Sequence, residues 1–140
     1  SKMDVIKMMD IHVGLVLALI DQDPTSPARK KLYGKAGEHR PCVYGVEYRT
    51  PSNYWLRSPE LAKLIYDLTE FTVTKAIEGT TEQIVKALGA EKIQKAINDN
   101  DKKLARELLS KVVLPDNFKS RIAEFEKPTN FEFSKEWEIL

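Results

Sequence analysis

From Val5 to Ile20 apolar side chains occupy nearly every face of a helical wheel, with Lys7, Asp10 and His12 as the titratable interruptions. A helix that is apolar all round is covered on most sides. Its cover is expected from the other helices of the chain, from a further segment or from a partner. The stretch falls short of the roughly 20 apolar residues that span a bilayer, and it carries charge. Asp21, Asp23 and Pro24 follow it, where a secretory signal would carry a small-residue cleavage site.

Thr25-Ser26-Pro27 predicts a short helix with Ser26 as N-cap and Pro27 in the first turn, stopped by Gly34. A loop over residues 34–41 follows. From Cys42 to Thr50 the β-branched and aromatic run Val43, Tyr44, Val46, Tyr48 reads as a strand ended by Pro51. Alternation puts Gly45, Glu47 and Arg49 on the opposite face, so Glu47 and Arg49 project together with Cα atoms about 7 Å apart. This is the one convincing strand, and its backbone partners are expected from outside the chain or from its tail.

The rest of the pattern is helical. Ser58-Pro59 opens a helix carrying Leu61, Leu64, Ile65, Leu68, Phe71 and Thr72 on one stripe, ended by Gly79. Thr80 and Gln83 resemble a capping box for a helix reaching Leu88, with Gly89 as its stop. Short amphipathic helices are predicted over Glu91–Asn98, Asp101–Val112 and Asp116–Glu126. The tail, residues 131–140, alternates Phe131 and Phe133 with polar residues and reads as a strand or a docking arm. The expected class is α+β: residues 1–58 supply a buried helix, a basic glycine loop and one or few strands, and residues 59–140 supply a helical array.

Composition narrows the function. With 140 residues, 42% hydrophobic and 31% charged, the chain is the size of one folded domain rather than a disordered or fibrous segment. A net charge of +1 gives no broad attraction for nucleic acid or an anionic membrane. One cysteine cannot close an intramolecular disulfide, and with two histidines it cannot build a structural zinc site. A cytoplasmic setting is expected. The charge is nonetheless uneven, with five basic residues and one acid between positions 27 and 40.

That loop offers Gly34 and Gly37 between Lys31, Lys35 and Arg40, a composition that can bring backbone N–H groups and cations onto a phosphate. A solvated basic loop explains the same residues. Glu47 and Arg49, with Arg40 delivered by the loop, suit a carboxylate on a phosphate-bridging Mg²⁺ beside guanidinium groups that neutralise a phosphoryl group in transfer. An intrastrand ion pair is the plainer alternative. His12 reads as a core histidine and Cys42 as an inert thiol; Tyr54 and Trp55 read as core aromatics.

The run Asp10-Ile11-His12-Val13-Gly14-Leu15, then Arg29 to Gly37, Arg40-Pro41, Tyr44 to Arg49, and Ser52-Asn53-Tyr54-Trp55-Leu56 resembles the C-terminal part of the phage-type carboxylate-amine ligases, which are similar to glutamine synthetase and glutamate-cysteine ligase in expected fold. The match is close over residues 4–78. The resemblance implies ATP- and Mg²⁺-dependent amide formation through an acyl phosphate. It assigns Glu47 to the metal, Arg40 and Arg49 to catalysis, and Lys31, Lys35, Gly37 and Asn53 to the nucleotide. In such ligases acidic strands and a histidine-bearing strand precede the buried helix. The expectation is therefore a fragment or subunit that is silent, and weak for ATP-Mg²⁺, without an N-terminal ligase half or another protein chain. Its substrates would be a small-molecule or peptide carboxylate and amine, with no nucleic acid or membrane. A phage-derived, non-catalytic interaction protein is the competing reading.

Overall fold

The computed structural model describes residues 1–43 and 45–128; Tyr44 and the tail from residue 129, with the strand or arm expected there, lie outside the described residues. The chain opens with α1 (Lys2–Met9), whose N-terminus carries a reciprocal capping box between Ser1 and Asp4. It continues through a π-helical turn (Asp10–Gly14) into α2 (Leu15–Ile20). Every residue from Met8 to Ile20 is buried.

The cover for this helix comes from the chain itself. α4 (Pro59–Ile77) and α5 (Thr81–Leu88) pack on α1, while α6 (Ala90–Asn98), α7 (Lys102–Leu109) and α8 (Asp116–Glu126) surround α2. One apolar cluster runs from Met8 through Leu64, Leu68, Ile97 and Leu108 to Ile122, so both halves of the sequence build a single core.

Helix ends follow local chemistry, with three departures from expectation. Ser58 caps α4 by accepting from the Leu61 amide at 3.2 Å, and Asp101 caps α7 by accepting from Leu104 at 3.0 Å. Ser26 is not a cap: it lies inside α3 (Ser26–Leu32), behind Thr25, and gives its hydroxyl proton to Asp21 at 2.7 Å. Thr80 makes no side-chain cap to α5. Its φ of −102° and ψ of 7° depart from the extended backbone that aims a capping oxygen at the first turn. The helix at Asp101 ends at Leu109 rather than Val112.

The sheet corrects a further expectation. The strand is shorter than predicted, β2 (Gly45–Tyr48), and it pairs antiparallel with β1 (His39–Cys42) of its own chain, formed from the end of the segment read as loop and the first residue of the predicted strand. Arg40 lies opposite Glu47 and Pro41 opposite Val46. The Arg49 amide donates to the Glu38 carbonyl at 2.8 Å, extending the ladder past His39. Alternation from that bond points the backbone of residue 41 away from β2, where a proline's missing N–H removes no ladder bond. The class is α+β, mostly helical with a two-stranded sheet.

Candidate functional site

The hairpin gathers three of the expected site residues. Arg40 Nη1 stands 3.8 Å from Glu47 Oε2 across the strands, and Arg49 Nε stands 3.9 Å from Glu47 Oε1 along β2. One carboxylate therefore sits between two guanidinium groups, all three side chains about half exposed. Lys31 on α3, Lys35 in the loop and Asn53 in the 3₁₀ turn (Asn53–Leu56) are exposed, and their side chains make no hydrogen bond or ion pair among the described residues. Among the described residues no hydrogen bond or ion pair joins them to the Glu47 cluster.

The loop beneath the hairpin is shaped from inside. Lys30 is 5% exposed, and its ammonium donates to the carbonyls of Gly34 and, at 2.7 Å, Thr50. Burial, reinforced by neighbouring Arg29, lowers its pKa to about 8. Arg29 donates to the Pro51 carbonyl at 3.2 Å and lies over the Tyr33 ring. Gly34 has φ +78°, where any side chain is strained, and a Cβ there would come within 2.2 Å of the Arg29 guanidinium, which would have to shift.

The loop amides have partners. Gly34 N–H donates to the Glu38 carboxylate, Ala36 N–H to Asn98 Oδ1 at 2.7 Å, and Gly37 N–H to Asp10 Oδ1 at 2.9 Å. The acceptors that these amides hold are thus the protein's own, two carboxylates and one side-chain amide. The exposed charged side chains of this region are those of Lys31, Lys35, Arg40, Glu47 and Arg49.

Asp10 went unassigned in the sequence. It is 8% exposed, and Oδ1 also accepts the Tyr48 hydroxyl at 2.5 Å. Burial raises its pKa above the ordinary carboxylate value, against the lowering effect of Tyr48, Gly37 and Lys30. Burial likewise raises the Tyr48 phenol, with Asp10 adding to the effect. At the other end of the π-turn, a Cβ on Gly14 would lie 3.0 Å from the Tyr48 oxygen and 2.8 Å from Ile97 Cδ1. Asp21 forms a second buried node, accepting from Ser26 at 2.7 Å and Ser52 at 2.9 Å. The available signals were a carboxylate inside an otherwise apolar helix and the inward phase of Tyr48 in its strand.

His12 is a core residue, as its setting implied. The Thr72 hydroxyl proton goes to the Leu68 carbonyl at 2.6 Å, so His12 Nδ1–H is the donor in its 3.0 Å contact with Thr72. Burial, helped by Lys75, lowers its pKa to about 4 and keeps it neutral. Cys42 is free and exposed.

Among the described residues no three His, Cys, Asp or Glu side chains gather as a metal cage, and no helix is long and apolar enough to cross a membrane. The geometry defines a mostly helical α+β scaffold that displays a carboxylate flanked by two arginines beside a basic loop. Residues 1–131 match the family described as Phage phiEco32-like COOH.NH2 ligase-type 2, and the chain belongs to that family. The match extends well beyond the residues 4–78 that carried the resemblance, through the helical half. No curated protein and no solved structure matches the chain.

Proposed function

We propose that the chain serves an ATP-dependent ligase joining a carboxylate to an amine, with the Arg40–Glu47–Arg49 face as its phosphate-handling surface. The observation that carries this reading is one carboxylate held between two guanidinium groups on a two-stranded hairpin, in a member of a carboxyl–amine ligase family. A substrate carboxylate oxygen attacks the γ-phosphorus of ATP, ADP leaves, and an acyl phosphate forms. The amine nitrogen then attacks the acyl carbon, phosphate departs with the C–O bonding pair, and the nitrogen loses a proton. Arg40 and Arg49 bind the phosphoryl oxygens and neutralise their charge, with Lys31, Lys35 and Asn53 as the nucleotide-side residues; Gly37, whose amide is held by Asp10, shapes the loop rather than offering its N–H to a phosphate.

The donor set fits one kind of metal. A single carboxylate suits Mg²⁺, which keeps most of its six positions for water and phosphate oxygens. Glu47 would hold the ion, whose charge helps to neutralise the phosphates.

Titration of the chain with ATP, with and without Mg²⁺, tests the reading. Weak binding that depends on Mg²⁺ is expected. Glu47→Gln should abolish the Mg²⁺ dependence, and Arg49→Lys should weaken binding about tenfold, because an ammonium cannot replace the guanidinium fork. Identical titrations for wild type and both variants would overturn it. The interaction-protein reading draws on one observation, the large apolar side chains exposed beside the hairpin: Leu32 at 81% and Val43 at 93%. It would come to the front if partner binding responded to Val43→Ser while ATP did not respond to Glu47→Gln. A second ligase segment covering those residues would reconcile the two.

A further inference from the structure

The face that carries Arg40, Glu47 and Arg49 is not aimed by its own residues. Glu47 and Arg49 point outward from β2, and the residue between them, Tyr48, turns inward to the central helix. The rotation of the strand about its axis is therefore set where the phenol ends. That end is fixed twice by the π-turn: Asp10 accepts its hydroxyl at 2.5 Å, and Gly14 leaves the space that it occupies. A π-turn adds a residue to the helical circuit, which is why such turns recur where a helix must present a side chain off its regular stripe.

The same Asp10 oxygen holds the Gly37 amide at 2.9 Å, three residues before Arg40. One atom thus ties together the helix, the basic loop and the strand. The Arg49 amide to Glu38 carbonyl bond, 2.8 Å, closes the triangle between loop and strand. We propose that Asp10 is the positioning residue of the Arg40–Glu47–Arg49 face, a role that rests on the phosphate-handling reading of that face. It touches no ligand; it fixes the register of loop against strand, and so the spacing of the two guanidinium groups about Glu47.

What Asp10 supplies is an acceptor of the right size at the right depth, and a neutral amide oxygen supplies the same. Asp10→Asn should therefore retain both hydrogen bonds, whereas Asp10→Ala removes both and Tyr48→Phe removes one. Leu108→Ala, in the core away from the hairpin, supplies a destabilised control. The measurements are amide hydrogen exchange at Gly37 and along β2, the affinity for ATP-Mg²⁺, and melting temperature. In Asp10→Ala and Tyr48→Phe, exchange at these amides should quicken by about tenfold or more relative to the rest of the fold. Affinity for ATP-Mg²⁺ should fall to that of Glu47→Gln. Asp10→Asn should match wild type in both, and Leu108→Ala should lose melting temperature with its relative exchange pattern and affinity intact. Should Asp10→Ala prove too unstable to handle, Tyr48→Phe decides alone. Unchanged exchange and affinity in Tyr48→Phe, with Glu47→Gln impaired, would overturn the positioning role and spare the ligase reading. Quickened exchange with ATP indifferent to Glu47→Gln would sink the ligase reading, and with it the role of Asp10 in aiming a phosphate site.

Discussion

Residues 21–53 and residues 54–126 are held together by different forces. The second segment buries Tyr54, Leu61, Leu64, Leu68, Ile97, Leu108 and others against the central helix. The first buries no hydrophobic residue among those described; its interior positions are Asp21, Ser26, Lys30, Gly34, Thr50 and Ser52. The helical half is stabilised chiefly by apolar area, whose own contribution tolerates conservative exchange and does not titrate. The loop and hairpin are stabilised by directional bonds, each of which fails when a single partner is removed. A site that needs fixed side-chain directions is built in the second way and carried on a scaffold built in the first.

Leu108→Ala should produce the largest loss, about 2–5 kcal/mol for a fully buried leucine, seen as a fall in urea midpoint with unchanged hairpin exchange. Next comes acid. The folded-state pKa of His12, about 4, lies below its ordinary 6.5, so the unfolded chain binds the extra proton between these values. The contribution is fully present above pH 6.5 and is lost as pH falls towards 4, on the order of 3 kcal/mol in all. The raised pKa of Asp10 acts in the opposite sense, so the difference in urea stability between wild type and His12→Gln isolates the slope.

Lys30→Met should cost about 1.5–3 kcal/mol, because two buried carbonyls lose a charged donor. Unlike Leu108→Ala it should quicken exchange in the loop before the helices, and equal effects in both regions would erase the contrast drawn above. Thr72→Val, which removes the acceptor of His12, should cost about 1 kcal/mol by chemical denaturation. Glu47→Gln should be the mildest, under about 1 kcal/mol, since its ion pairs are half exposed and solvent screens them. Its effect belongs to ATP-Mg²⁺ binding, and a large stability loss there would make the cluster structural.

The scaffold was legible because its signals are local. All-round apolarity marked the buried helix, the Ser58-Pro59 pair marked the start of α4, and α8 matched its predicted span Asp116–Glu126. The outward pairing of Glu47 and Arg49 followed from strand phase alone. β1 was not legible: His39-Arg40-Pro41-Cys42 has neither alternation nor β-branched residues, and it is a strand because β2 lies beside it. Lys30 looked like one more cation of a basic loop, yet it is the donor on which that loop folds, through carbonyls 4 and 20 residues away. Asp10 was visible as an interruption, but its partners Gly37 and Tyr48 lie 27 and 38 positions along the chain. Hydrogen bonds of that range leave no periodic trace.

Pro41 gives the small sheet one blunt side. A two-stranded ribbon exposes two rows of backbone groups, either of which can nucleate stacking into fibrils when protein is concentrated. On the outer row of β1 the donor at position 41 is absent, so an incoming strand would meet a carbonyl with no matching N–H beside it. Growth of the sheet from that side is discouraged by covalent structure, at every pH and salt concentration. The hairpin can thus hold charged side chains out in solvent without becoming a seed for aggregation along that edge.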